Sequence, residues 1–351
     1  MSSQKTPSTD LEFPSIIFGT SSLGNLYTEL DDKIKLAIVK ECINQTSGKV
    51  YFDSAGKYGA GLALESLGAS LASLNTNHSK IVISNKLGWL RTKLTSAEPT
   101  FEPGIWKGLK HDAIQHLGYE QIMDCFRQGN TLLKGFVADL VSVHDPDEYL
   151  EIGRNNDEIN GLYYEVLDSY KALSELKQRG KVKAVGVGAK NWRVIERIHK
   201  DVKLDWVMIA NSMTIKSHPI DLLDFMRELE SEGVKIVNSA VFHSGFLTGG
   251  DYYDYKFVSR EDQQYSDLFE WRDLFFSCCL KYGVKPAHAC VQFALKAPGV
   301  VSIALNTTNP ERVKENVKMV HEPVPVKLWD ELMEKGLISS YFFKNQILKK
   351  A

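Results

Sequence analysis

The 351-residue sequence predicts an α/β protein, a single-domain (β/α)8 TIM barrel with two long loops at its C-terminal face. Three observations carry that expectation. Short apolar runs alternate with longer amphipathic stretches along the chain, strand before helix in each pair, as in repeated βα units. Eight such runs can be counted. Each is apolar at consecutive positions, the pattern of parallel strands buried on both faces, and eight of these close most economically into a barrel with no exposed edge. A doubly wound open sheet is the rival arrangement, and length alone allows one domain or two.

The strands are expected at SIIFGT (15–20), VYFD (50–53), KIVISNK (80–86), ADLVSVH (138–144), VKAVGVG (182–188), WVMIA (206–210), KIVNSA (235–240) and VSIAL (301–305). Helical periodicity falls at 31–45, 62–74, 120–133, 162–178, 221–232, 267–282 and 311–320, with only a short connection around 194–200 after the fifth strand. Gly118 precedes one of these helices, and Gly180 and Gly233 follow two others, as turn residues do. Two connections, 88–118 and 245–266, are too long for simple βα loops and are rich in aromatic residues. Long loops of that kind in a compact domain tend to be lids or binding walls. Residues 1–13 are expected as a flexible N-terminal tail, 14–340 as the barrel, and 341–351 as a C-terminal tail.

Forty-two Lys and Arg against 44 Asp and Glu leave a net charge of −2, so the basic excess that a nucleic-acid partner needs is missing. Five cysteines, an odd number with no C-x-x-C spacing, point to a reducing compartment. The N-terminal MSSQKTPSTDLEF has no apolar leader core, and no apolar run approaches the ~18 residues of a membrane helix. A cytoplasmic protein without membrane or nucleic-acid partners is expected, as a monomer or a homodimer.

Barrel enzymes place their chemistry at the C-terminal ends of the strands. There stand Asp53 after the second strand, with Tyr58 one short loop on, Lys86 after the third and His144 after the fourth. Each alone has an ordinary reading as a cap, a packed ring, a solvated cation or a rim histidine; together they predict an active site. A phenol with a pKa of ~10 needs a neighbouring cation to exchange protons near neutrality, and Lys86 can supply it. Asp53 would hold the ammonium, and His144 would orient a substrate oxygen. The set suits proton transfer at a carbonyl or alcohol oxygen. No nucleophile–base pair, metal-ligand set or Walker loop is visible.

These residues resemble the tetrad of the aldo-keto reductases, NAD(P)-dependent oxidoreductases on the (β/α)8 barrel. The likeness runs from FGTSSLGNLY through FDSAGKYGAGLALESLGASL, which is similar to the family signature FDTAxxYGxxxSExxLGxxL, to NPERVKENV. The GNLY, HDPD and VFHSGFLTGG segments most resemble the aldose 1-dehydrogenase branch, with its fucose, galactose, arabinose and threo-aldose enzymes and, nearby, pyridoxal dehydrogenase.

The resemblance implies Tyr58 as general acid/base, Lys86 and Asp53 lowering its pKa, and His144 positioning the anomeric oxygen. It implies a nicotinamide pocket near Ala189, Lys190, Asn211 and Ser239, although the family's usual GVSNF reads GVGAKNW here. Ser244, Gly245 and Leu247 would offer backbone donors to the pyrophosphate, with Gly245 the point of closest approach. Asn306, Thr307, Thr308, Arg312, Glu315 and Asn316 would meet the adenosine. An asparagine at 306, where NADP-preferring members carry lysine, tilts the cofactor toward NAD over NADP, while Arg312 keeps NADP open. The implied activity is oxidation of an aldose C1 hydroxyl to the lactone, with Tyr27, Trp89, Trp106 and the 251–255 loop contacting a sugar or aldehyde substrate. The alternatives are an NADPH-dependent aldehyde or ketone reductase and a cofactor-binding regulatory subunit.

Overall fold

A computed structural model describes residues 12–347. Eight parallel strands form a closed barrel: Ile16–Gly19, Val50–Ala55, Ile81–Leu87, Leu140–His144, Ala184–Ala189, Trp206–Ala210, Lys235–Ser239 and Val300–Leu305. Each pairs with its sequence neighbours, and the eighth closes on the first through Ile16↔Ile303. The open-sheet alternative is therefore excluded.

Side chains alternate across a strand, so inward residues recur every second position. The interior holds Ile17, Tyr51, Val82, Leu140, Ala184, Trp206, Met208 and Val237 as one apolar cluster. Trp206 is the bulkiest of them, and it fits because the paired position, Gly186, has no side chain; a Cβ there would stand 2.5 Å from the indole. Further along the strands the same alternation delivers Asp53, two residues after Tyr51, and Lys86 and His144, four residues after Val82 and Leu140. Hydrophobic clusters between strands and helices complete the core.

The outer helices follow their sequence signals. Asp31 caps Asp32–Asn44 by accepting from the Lys33 N–H, Asn155 caps Asn156–Gln178, and Asn191 caps Trp192–Asp201. Gly180 and Gly233, at φ 66° and 80°, make the left-handed turns that follow their helices. Helices Leu62–Ser73, Tyr119–Leu132, Ile220–Ser231, Ser266–Lys281 and Glu311–His321 match expected ones to within two residues at each end. Two more, Pro286–Leu295 and Val326–Glu334, lie where the periodicity had assigned no element. The former is buried along most of its length and lacks an amphipathic stripe.

The long loops are structured. Residues 88–118 carry an antiparallel hairpin, Trp89–Lys93 with His111–Gln115, and residues 245–266 carry a short one, Tyr252–Tyr253 with Lys256–Phe257. The terminal boundaries shift. The N-terminal tail lies outside the described residues up to position 11, but Phe13 closes the lower barrel end against Tyr51 and Trp206, and the Tyr51 hydroxyl donates to the Glu12 carbonyl at 2.7 Å. Of the expected C-terminal tail, the segment through Ile347 is helical, and Phe342 is fully buried with its ring 4.1 Å from that of Phe293. Three apolar residues in that segment, Phe342, Phe343 and Ile347, find a core to enter, so it is part of the fold. No helix among the described residues is long and apolar enough to cross a membrane.

Candidate active site

Asp53, Ser84, Lys86 and His144 project from three adjacent strands because Asp53 pairs with Ser84, and Lys86 with Ser142, in register. Lys86 Nζ donates to Asp53, whose other oxygen accepts from Ser84 Oγ at 3.2 Å. The lysine stem crosses the barrel over Gly188, where a Cβ would come within 3.1 Å of Lys86 Cδ. The ammonium lies 4.6 Å from the centroid of the Tyr58 ring, and the His144 ring meets the same tyrosine edge-on at 5.5 Å. The four residues expected from the strand ends thus converge on one cavity of about 310 Å³.

Burial pushes the Tyr58 phenol up, Lys86 pulls it down, and Asp53 pushes it up again, for a net rise above 10. The expected lowering is therefore corrected: in this buried setting Lys86 offsets only part of the desolvation, and the Asp53 carboxylate acts in the opposite sense. Burial lowers the Lys86 ammonium, but Asp53 and Tyr58 outweigh it and keep the ammonium charged. Burial, then the Lys86 and Lys57 charges, holds the His144 imidazole well below 6.5, hence neutral at physiological pH. Its Nε2 is 3.5 Å from Asp145 Oδ2, and its Nδ1 has no partner among the described residues.

Around the tetrad the cavity is lined by Tyr27, Trp106, Ala189, Lys190, Ser239, Ser244, Gly245, Asn306 and Thr308 from the expected set. Trp106 lies 5.9 Å from the Tyr58 ring, and Tyr27 stacks at 5.2 Å on Tyr252 of the 245–266 loop. Trp89 is displaced from its expected place: it packs against Phe101 behind Lys57, whose ammonium is 5.1 Å from the indole. Asn211, at φ 59°, lies in an adjoining groove with its Oδ1 unpartnered among the described residues.

The anion cradle also differs from expectation. The Gly245 and Leu247 N–H groups both donate to the Phe242 carbonyl at 3.1 Å, and the Leu247 side chain is buried in the core. His243, Ser244 and Gly245 run through φ 46°, 57° and 94°, a tight turn that consumes those donors. Gly245 still leaves open space, since a Cβ there would meet only Thr248 Oγ1, at 4.0 Å. Asn306 accepts from Ser22 Oγ at 2.7 Å. Thr307 is turned inward to Asn309, Glu315 pairs with Lys285 at 2.5 Å, and Asn316 is half-buried on the same helix. Arg312 is exposed with no ion-pair partner among the described residues. The open space at Gly245, on the cavity lining, fits a dinucleotide phosphate, while Glu315 is taken up elsewhere.

Tyr255 of the expected 251–255 loop also lines the cavity, and residues not singled out from the sequence complete the wall: Lys57, Glu102, Ile105, Asp145 and Phe242. Lys57 was legible only as the neighbour of Tyr58, and Asp145 as the neighbour of His144; Glu102 carried no local signal. Among the described residues no cluster of His, Cys, Asp and Glu is placed to hold a metal ion.

Residues 15–336 match the sequence model described as the Aldo/keto reductase family. Over 343 residues the chain is 28% identical to the pyridoxal 4-dehydrogenase of Microbacterium luteolum, covering 94% of this chain and 96% of that one. It is 25% identical over 347 residues to the D-threo-aldose 1-dehydrogenase of a Pseudomonas species, covering 93% and 95%. A solved aldo/keto reductase from Klebsiella pneumoniae in complex with NADP and acetate has the same fold, with TM-score 0.61, 15% identity and 93% of each chain covered.

Proposed function

Because the chain belongs to the aldo/keto reductase family, an oxidoreductase acting on alcohol or carbonyl groups, we propose that it oxidises the C1 hydroxyl of an aldose to the lactone with a nicotinamide cofactor. The observation that carries the reading is the convergence of Asp53, Tyr58, Lys86 and His144 on one cavity. A bound nicotinamide would supply the hydride acceptor. Tyr58 Oη would take the proton from the C1 hydroxyl, with Lys86 stabilising the phenolate that accepts it. Asp53 would hold Lys86 in place, and the neutral His144 would orient the C1 oxygen by hydrogen bonding. Tyr27, Trp106 and Tyr255 present aromatic faces to the C–H surface of the ring. Nucleic acid has no part in this reading, and the five cysteines, all buried and free, suit a cytoplasmic setting.

Gly245 would let the pyrophosphate approach closely, and the Ser239 side would receive the nicotinamide. Position 306 offers an amide tied to Ser22, not a cation, which favours NAD; Arg312 is the group that could bind a 2′-phosphate of NADP. A second reading, pyridoxal as substrate, is favoured by the same aromatic lining and by the 28% relative. Pyridoxal closes to a cyclic hemiacetal, so its oxidation to a lactone uses the same proton and hydride path. Absorbance at 340 nm with NAD or NADP against fucose, galactose, arabinose, threo-configured aldoses and pyridoxal tests both. Turnover of none of them would end both readings, and reduction of simple aldehydes alone would leave the reverse reaction as the activity.

A further inference from the structure

Lys57, beside Tyr58 in the chain, is 3% exposed and sits at the centre of an acidic cluster. Its ammonium is 3.0 Å from Asp145 Oδ2, 2.9 Å from Glu102 Oε1 and 2.6 Å from Glu148 Oε2. Asp145 and Glu148 each accept a hydrogen bond from the ammonium, and Glu102 completes the cluster as an ion pair. Lys190 also pairs with Glu148. The cavity itself is lined by Asp53, Glu102 and Asp145 against Lys57, Lys86 and Lys190, so its charges balance and what matters is where each carboxylate stands. Burial pulls the Lys57 ammonium down, but Asp145, Glu102 and Glu148 together hold it above its ordinary value, so the ammonium stays charged across the physiological range.

The three carboxylates occupy different positions. Asp145 adjoins His144 at the reacting end, and Glu148 faces the neighbouring groove. Glu102 comes from the 88–118 loop and lines the cavity itself, with its Oε1 on Lys57 and its Oε2 accepting from Trp106 Nε1 at 2.6 Å. Each carboxylate oxygen has a second acceptor position, and the Glu102 side chain is 32% exposed, so one can be reached from the cavity.

We propose that Glu102 is a specificity-determining residue: it accepts a hydrogen bond from a substrate hydroxyl remote from the reacting carbon and turns away substrates that carry an anionic group there. A carboxylate can only accept, so it rewards a donor. An anion placed next to Glu102 meets that carboxylate's like charge in a partly dehydrated cavity, where repulsion is stronger than in water. The proposal rests on the tetrad cavity being the place of turnover, and needs no particular natural substrate.

The test uses reduction of two aldehydes that differ only in the remote group, para-(hydroxymethyl)benzaldehyde and para-carboxybenzaldehyde. The wild type is expected to favour the hydroxymethyl compound in kcat/KM. Glu102→Gln keeps the length and the acceptor for Trp106, and is expected to shift that preference about tenfold toward the carboxy compound, mostly through KM. Glu102→Lys is expected to shift it further, and Glu102→Asp to keep the wild-type order. A wild type that favours the carboxy compound, or a ratio within twofold of wild type in both the Gln and Lys variants, overturns the proposal. If no aldose or pyridoxal is oxidised, the proposed function falls while the aldehyde comparison still decides the role of Glu102.

Discussion

Tyr58 lies between opposed influences, because the burial that gives it a dry reaction site also makes its anion costly, and one ammonium has to compensate. Tyr58→Phe should cut turnover by at least ~100-fold while the cofactor still quenches protein fluorescence, since the hydroxyl alone is removed. Near-wild-type rates in that variant would contradict the assignment. The raised phenol also sets the pH dependence. Oxidation needs the phenol deprotonated, so kcat/KM for the alcohol should climb through pH 7–10; reduction needs it protonated and should stay level over the same range. A bell centred near pH 7 for oxidation would show that a different group takes the proton. Three tetrad members were legible in the sequence because each is a polar residue ending an apolar strand, where β alternation points it into the barrel mouth. Glu102 was not, since only the folded hairpin brings that loop residue to Lys57.

At the scale of elements, the barrel interior admits its bulkiest side chain, Trp206, only because the paired strand position has none. Gly186 and Trp206 share one space, so Gly186→Ala forces a methyl into the indole or the Trp206 carbonyl, at 2.6 Å. An overpacking cost of about 1–3 kcal/mol is expected, read as a lower denaturation midpoint with an unchanged slope. The C-terminal segment makes the complementary case. Phe342 is fully buried against Phe293 and His218, so Phe342→Ala should cost about 3–5 kcal/mol, although the residue lies in what composition suggested was a tail. A loss below 1 kcal/mol would mean that the segment is not docked in solution. The helix Pro286–Leu295 escaped the periodicity reading for a related reason: a helix covered on most sides has no polar stripe to mark its period.

For the whole molecule, the barrel acts as a rigid ring that holds four functional groups from separate elements at fixed spacing, while the two hairpin loops supply the wall. Binding a dinucleotide to the folded state alone should raise stability by about 2.7 kcal/mol at a hundredfold excess over Kd, seen as a thermal shift of a few degrees. The larger shift identifies the preferred cofactor. NAD exceeding NADP is expected from the uncharged Asn306, and Arg312→Ala should reduce the NADP shift more than the NAD shift. Equal losses for both would remove Arg312 from any role at the 2′-phosphate.

The order of the strands along the chain and the inward placement of Asp53, Lys86 and His144 follow from local patterns: hydrophobic period, the two-residue alternation of a strand, and the preference of parallel strands for burial on both faces. These are properties of neighbouring residues, so the sequence by itself determined them. Tertiary structure decided what depends on distant partners. Whether the Leu247 N–H was free for a phosphate depended on the turn at Phe242. The direction of the Tyr58 shift was set by how deeply the ring is buried, not by which residues stand near it in the chain. The Glu102 carboxylate reached the substrate wall because its loop folds onto Lys57. Hydrogen-bond ownership, desolvation and ion pairing all require knowing which atoms meet across the fold, and periodicity carries no record of that.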